Sequence, residues 1–306
     1  MKRILILVCL ICLINKSSQA CDICGCGVGS YYVGILPEFS KKIMGLRYRY
    51  NTLRTHIGAG GVTTYLTTEE KYRTTELWGG WTIGKKIRLM GYIPVSFNEK
   101  LNQGITTGKQ GLGDIGLQGF YKLFATDKGV GNKRLVQSLW IGAGIKIPTG
   151  KYDAALKNSG QETANIFQLG TGSVDFTFNA MYDIRLQDAG INLATSYKIN
   201  TTNRQSYQYG NKFNVNGQVY YKFRIKNKVT VAPNAGILFE KAELDKDHGY
   251  TVDVSGGRVL LGTLGLEAAF KKIAIGANWQ SPMSQNLAGG FVKANDRAMV
   301  HVSFMF

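Results

Sequence analysis

The sequence predicts an all-β chain: an antiparallel transmembrane β-barrel of about 12 strands with a short N-terminal cysteine-containing segment. Three observations predict it. Apolar and polar residues alternate with period two in segment after segment. The connections between those segments alternate between short and long. The last segment alternates to its end and finishes on an aromatic residue, Phe306. Composition agrees, because 38 glycines against 5 prolines, with 16 tyrosines and 14 phenylalanines, favour extended over helical chain. No apolar run of about 20 residues follows the first twenty positions, so no transmembrane helix is expected. A transmembrane strand needs only about 9–11 residues, every second one apolar.

The first element, residues 1–20, reads as a secretory signal. Lys2 and Arg3 give a positive start, Ile4 to Ile14 an apolar run too short to span a bilayer, and Ser18 and Ala20 a small-residue cleavage site. An N-terminal membrane anchor is the alternative. Residues 21–40 lack alternation and form a Cys-rich periplasmic or plug segment, beginning "CDICGCG". Cys21, Cys24 and Cys26 are the only cysteines outside the signal. Three roles compete for them. A disulfide suits an oxidising periplasm but leaves one thiol over. Lipidation of Cys21 would use the odd one, although "SSQA" lacks the aliphatic residue such signals carry at −3. Three soft thiolates could also hold Cu or Zn.

The barrel itself is expected over 41–306, with strands at 41–52, 70–83, 86–97, 111–124, 134–147, 172–185, 190–201, 209–224, 228–240, 257–270, 272–281 and 296–306. In "SVDFTFNAMYDI", Val174, Phe176, Phe178, Ala180, Tyr182 and Ile184 share one face; Asp175, Thr177, Asn179 and Asp183 share the other. Such a polar face fits a wet lumen and not a dry sandwich core. Short connections fall near 84–86, 125–133, 186–190, 225–228 and 271–272. Longer ones fall near 53–69, 98–110, 148–171, 202–208, 241–256 and 282–295. That arrangement places both termini in the periplasm and the longer loops outside a bacterial outer membrane.

Alternation turns Arg88, Asp114, Lys146, Asp175, Asp183, Lys198, Lys222 and Glu267 toward the lumen. They either pair with one another and plug it or line a solute path. Trp78, Trp81, Trp140 and Trp279 are candidates for interfacial girdles or for lipid-facing bulk. The final strand, "DRAMVHVSFMF", resembles the carboxy-terminal strand that the barrel assembly machinery reads in outer-membrane proteins.

The net charge of +17 stays strongly positive when Lys2, Arg3 and Lys16 leave with the signal. A secreted chain has little access to nucleic acid, so that partner is not expected. Outer-membrane lipid and anionic glycolipid are, through loop cations such as Arg54, Lys100, Lys109, Lys151, Lys157, Arg204 and Lys293. A solvated basic surface is the alternative. Only three histidines occur, none in a recognisable nucleophile pattern, so no enzyme is expected. An outer-membrane hydrolase is the remote alternative.

Three stretches carry a family resemblance: "GLGDIGLQGFYKLF" from Gly111, "GAGIKIPTGKY" from Gly142, and "QLGTGSVDFTFNAMYD" from Gln168. In this order they resemble the outer-membrane transporter family named after the meta-pathway of phenol degradation, over about residues 40–306. The resemblance implies a barrel that passes small, often hydrophobic or aromatic, compounds. The residues alone also allow a plainer role, with glycines easing strand entry and Pro148 ending a ladder. The expected function is a channel or transporter for small solutes, without a cofactor. The alternative is a barrel anchoring a metal-binding head, with Cu or Zn at Cys21, Cys24 and Cys26.

Overall fold

The computed structural model describes residues 42–157, 164–226 and 228–306. The predicted signal, the segment 21–40 and the cluster Cys21, Cys24 and Cys26 lie outside these residues. Twelve long strands follow one another: β1 (Ile43–Thr55), β2 (Thr68–Ile83), β3 (Ile87–Asn102), β4 (Ile105–Leu112 continued by Ile115–Val130), β5 (Lys133–Ile147) and β6 (Asp175–Leu186). They continue with β7 (Ala189–Ile199), β8 (Lys212–Tyr221 continued by Phe223–Ile225), β9 (Val229–Ala242), β10 (Gly257–Phe270), β11 (Ile273–Leu287) and β12 (Lys293–Met305). Each pairs antiparallel with the next. The first and last strands close the ring, from Ile43↔Met305 to Arg54↔Lys293. Closure matters because a backbone edge left open in hydrocarbon has no water to bond.

The alternation seen in the sequence becomes two surfaces. Every strand puts large apolar side chains outside, among them Leu46, Leu77, Ile93, Leu117, Ile141, Phe178, Leu193, Val219, Ile237, Leu264, Ile275 and Val300, all exposed. The intervening residues, such as Arg47, Glu76, Arg88, Gln118, Lys146 and Asp175, are buried inside. An apolar outer band around a polar interior is the surface of a chain that crosses a membrane with strands. No described helix is long and apolar enough to cross one.

Two expectations need correction. The predicted loop at 98–110 is instead the tip of a hairpin, in which β3 and β4 pair as far as Asn102↔Ile105. Gln103 and Gly104 make its two-residue turn with φ of 48° and 79°, the positive values that such turns require. The predicted turn at 125–133 shrinks likewise, its ladder running to Val130↔Lys133. Both hairpins project past the apolar band, where both strand faces meet water and no alternation marks them. The second correction concerns the tryptophans. Trp81 and Trp279 face outward, but Trp78 and Trp140 are 1% and 4% exposed and lie inside. Their positions are in phase with Glu76 and Ser138 of the inner face, so they fill lumen instead of meeting lipid.

Candidate functional site

The inner wall is layered. Toward the short-turn end an apolar cluster gathers Ile43, Trp78, Met90, Tyr92, Phe120, Trp140, Ala274 and Met305. Toward the long-loop end a second cluster gathers Leu53, Tyr72, Phe167, Leu238, Val259, Leu261, Leu287 and their neighbours. Charged side chains occupy the zone between. Glu76 holds Arg47 and Arg49, each at 3.2 Å, and Glu240 receives Arg297 at 2.8 Å. These pairs were not singled out in the sequence, although "LRYRY" carries the signal: Arg47 and Arg49 alternate with Leu46, Tyr48 and Tyr50.

Four of the predicted inward residues meet in one network at the rim. Lys146 Nζ lies 2.5 Å from Asp114 and 2.9 Å from Asp175, and Lys198 lies 3.2 Å from Asp175. The sequence separates them widely, but β4, β5, β6 and β7 are consecutive staves. Pairs of like height therefore fall together, as the register Lys146↔Asp175 requires. Two carboxylates and two ammonium groups balance in charge. Their desolvation is offset only because hydrogen bonds fill the remaining positions. Asp114 accepts from the backbone N–H of Gly150 at 3.0 Å and of Thr171 at 2.9 Å. Asp175 accepts from Ser173 Oγ at 2.7 Å and from the Thr201 N–H at 3.1 Å. Lys146 also donates to Thr171 and to the Ser173 carbonyl.

This network explains the glycine-rich stretches. A Cβ on Gly170 would clash with Asp114 Oδ1 and sit 2.7 Å from the Gly150 carbonyl. A Cβ on Gly150 would meet the Leu169 carbonyl at 2.7 Å. Two bare backbones thus press together above a buried carboxylate, which only glycine permits. The three stretches from Gly111, Gly142 and Gln168 converge on this point and fasten both ends of the β5–β6 loop.

Residues 165–167 of that loop reach across the mouth. Ile166 and Phe167 pack among Leu53, Val259, Leu261 and Leu287 on the far wall. Phe167 meets the Tyr72 ring edge-on at 6.2 Å. Lys109, from the projecting β4 edge, donates to Gln168 Oε1 at 3.2 Å and lies 3.7 Å from Asp153. Tyr209 of the β7–β8 loop donates to the Asn165 carbonyl at 3.0 Å. Burial pushes the Tyr152 hydroxyl above the usual tyrosine range, so it stays a neutral donor near Asn165.

The other predicted residues are scattered along the wall. Arg88 is fully buried and donates to Thr82 at 3.3 Å. Asp183 accepts from Tyr220 at 3.0 Å, and Lys222 lies over the Tyr220 ring at 5.3 Å. Glu267 is buried, and with His301 it crowds the space above Gly276. Among the described residues no group of three or more His, Cys, Asp or Glu is placed to hold a metal ion.

Comparison with solved structures gives the same architecture. An outer membrane channel from Pseudomonas putida F1 superposes with a TM-score of 0.60 at 12% identity, covering 92% of this chain and 100% of that one. The transport unit of the autotransporter AIDA-I from Escherichia coli follows at 0.47 and 10% identity, covering 90% and 94%. The β domain of a Bordetella autotransporter gives 0.46 and 10%, covering 87% and 100%. At 12% identity the likeness to the Pseudomonas putida channel speaks for the fold alone. A search of curated proteins gives no significant match. The sequence profile of the family described as "Putative MetA-pathway of phenol degradation" matches residues 51–284. That span contains all three glycine-rich stretches and the loop they fasten, and the chain belongs to this family.

Proposed function

We propose that the chain is a passive outer-membrane channel for small solutes, hydrophobic or aromatic compounds among them. The observation that carries the reading is the closed barrel whose mouth is narrowed by the described parts of the β5–β6 loop, which are fastened to the wall and carry Ile166 and Phe167 inward. A storage or anchoring barrel has no use for such a loop, whereas a channel uses it to set the size and polarity of what enters. Phe167, Ile166 and Tyr72 supply an apolar threshold suited to a ring-sized solute. In this reading Arg88, Asp183, Lys222 and Glu267 line the path below, while Asp114, Lys146, Asp175 and Lys198 hold the loop. The alternation of turn lengths supports periplasmic termini, and the aromatic end at Phe306 supports delivery by the barrel assembly machinery. Basic outer loops support contact with anionic glycolipid.

The test is reconstitution of the purified chain in planar bilayers and liposomes. Steady ion conductance and uptake of small aromatic solutes are expected; a sealed barrel without flux would sink the reading.

The cluster Cys21, Cys24 and Cys26 favours a second role, a Cu- or Zn-binding head carried by the barrel, because three soft thiolates fall within six residues. Metal content under reducing conditions, compared with a triple Cys→Ser variant, decides it. Equal content in both would remove this role and leave the channel untouched.

A further inference from the structure

The positive charge is not shared evenly between the two ends of the barrel. The longer loops, over 53–69, 98–110, 148–171, 202–208, 241–256 and 282–295, carry nine lysines and arginines against eight acids. The short turns differ. With their flanking residues, at 84–86, 125–134, 185–188, 222–228 and 271–272, they carry twelve lysines and arginines against two acids. Each of those acids already holds an arginine. Asp127 accepts from Arg134 Nε at 2.6 Å, and Asp188 lies 3.0 Å from Arg224. Most of the excess charge therefore stands at one end.

This charge has the shape of a collar. The turns join β2 to β3, β4 to β5, β6 to β7, β8 to β9 and β10 to β11, at every second step round the ring. The remaining step, between β12 and β1, holds Lys42, whose carbonyl accepts from the Phe306 N–H at 3.0 Å. Lys85, Lys86, Lys226, Lys228, Lys271 and Lys272 are exposed.

Beside the collar the outer face carries a belt of exposed aromatic rings: Trp81, Tyr121, Tyr221, Phe223, Phe270 and Phe306. Collar and belt touch. Lys42 Nζ lies 3.9 Å from the centre of the Trp81 ring, Lys271 Nζ 5.2 Å from that of Phe270 and Lys86 Nζ 5.7 Å from that of Tyr121. Aromatic rings at the limit of an apolar band mark the membrane–water interface. A lysine resting on such a ring keeps its stem against apolar surface and its charge at headgroup depth. The sequence sets this up locally. In "IGKKI" from Ile83 and "FKKI" from Phe270, paired lysines stand between outward apolar side chains.

We propose that the short-turn end is a binding collar for anionic phospholipid, whose headgroup phosphates the turn lysines hold. The proposal rests on the reading that this end faces the periplasm, where the leaflet is phospholipid and not glycolipid. Charge and placement together select the ligand. Lipid phosphates lie at the depth of these cations and can gather round the whole circumference. A soluble acidic protein would meet only the underside of the ring, away from cations seated over lipid-facing rings. The collar gives the barrel a preferred lipid shell and fixes its depth in the bilayer.

The test compares dioleoylphosphatidylglycerol with dioleoylphosphatidylcholine, each added to the purified full chain in detergent and read by native mass spectrometry. At low salt the wild-type chain should retain the anionic lipid about tenfold more tightly, and high salt should narrow the difference. The combined variant Lys85→Gln, Lys86→Gln, Lys226→Gln, Lys228→Gln, Lys271→Gln and Lys272→Gln should lose most of the preference. A loop variant of equal charge change, Arg54→Gln, Lys100→Gln, Lys151→Gln, Arg204→Gln, Lys246→Gln and Lys293→Gln, should keep it. Equal retention of the two lipids by the wild-type chain would overturn the collar, as would an equal loss in the two variants. Wild-type binding to isolated peptidoglycan without any lipid preference would overturn it in favour of a cell-wall contact. Orientation is read separately. Lys85→Cys, in a chain whose five native cysteines are replaced by serine, should react with a maleimide too large for porins only after cells are opened. Reaction in intact cells would overturn the periplasmic reading, whatever the lipid preference in detergent.

Discussion

Two stretches of the same wall handle the rim in opposite ways. Across β4 to β7, buried charges and bare glycine backbones tie the strands to both ends of the β5–β6 loop. Across β11 and β12, the ladder lapses between Gln280↔Arg297 and Leu287↔Val292, and the Gln285 amide spans the space to the Ala294 backbone. The first stretch holds something still; the second keeps its restraint to two neutral hydrogen bonds. The difference teaches where this barrel tolerates change. A buried ion network punishes the loss of any member, because the partner left behind is an uncompensated charge. A neutral side-chain bridge at a wet edge costs little to open.

Mutations can sharpen or break that contrast. The largest effect is expected for Lys146→Met, which strands Asp114 and Asp175. It should cost about 3–5 kcal/mol in guanidinium unfolding of the detergent-solubilised barrel. The same variant should raise single-channel conductance as the loop comes free; unchanged conductance would separate the network from the loop. Phe167→Ala should cost about 3 kcal/mol, because a buried ring leaves a cavity against Tyr72 and Leu261. It should widen the mouth for bulky solutes in liposome swelling. Gly170→Val forces apart the two backbones above Asp114 and should cost about 1–3 kcal/mol. Combined with Lys146→Met it should add less than its own value, since both act on one network. Gln285→Ala should cost about 1–2 kcal/mol through two lost hydrogen bonds. If Gln285→Ala proved as damaging as Lys146→Met, the contrast between the two stretches would fail.

Much of the architecture was legible because a membrane barrel writes itself in period two. Wherever a strand has lipid on one side and the lumen on the other, its sequence must alternate, as "SVDFTFNAMYDI" does. Legibility stops where that condition stops. Around the hairpin tip at 101–108 the chain rises beyond the apolar band, both faces are wet, and the hairpin left no periodic trace. Trp78 and Trp140 were misplaced because a large aromatic ring suits both lipid and a dry patch of lumen, and only phase relative to Glu76 or Ser138 separates the two. Asp114, Lys146, Asp175 and Lys198 were each aimed by alternation. Their convergence depends on register across four strands, which no single segment encodes. The parting of β11 and β12 has no periodic signature, since bulges shift phase by one residue and the two halves of each strand still alternate.

The ladder that joins β1 to β12 has a consequence for how the molecule comes into being. It pairs Ile43 with Met305, nearly the whole chain apart. Contacts so distant form late, because the intervening chain must first be ordered. Until that last zipper closes, the half-built barrel shows two raw strand edges, which hydrocarbon will not accept. Assembly is therefore a matter of all or nothing. A ribosome that stalls before the final dozen residues makes a chain with an open seam, fit for degradation and not for the membrane.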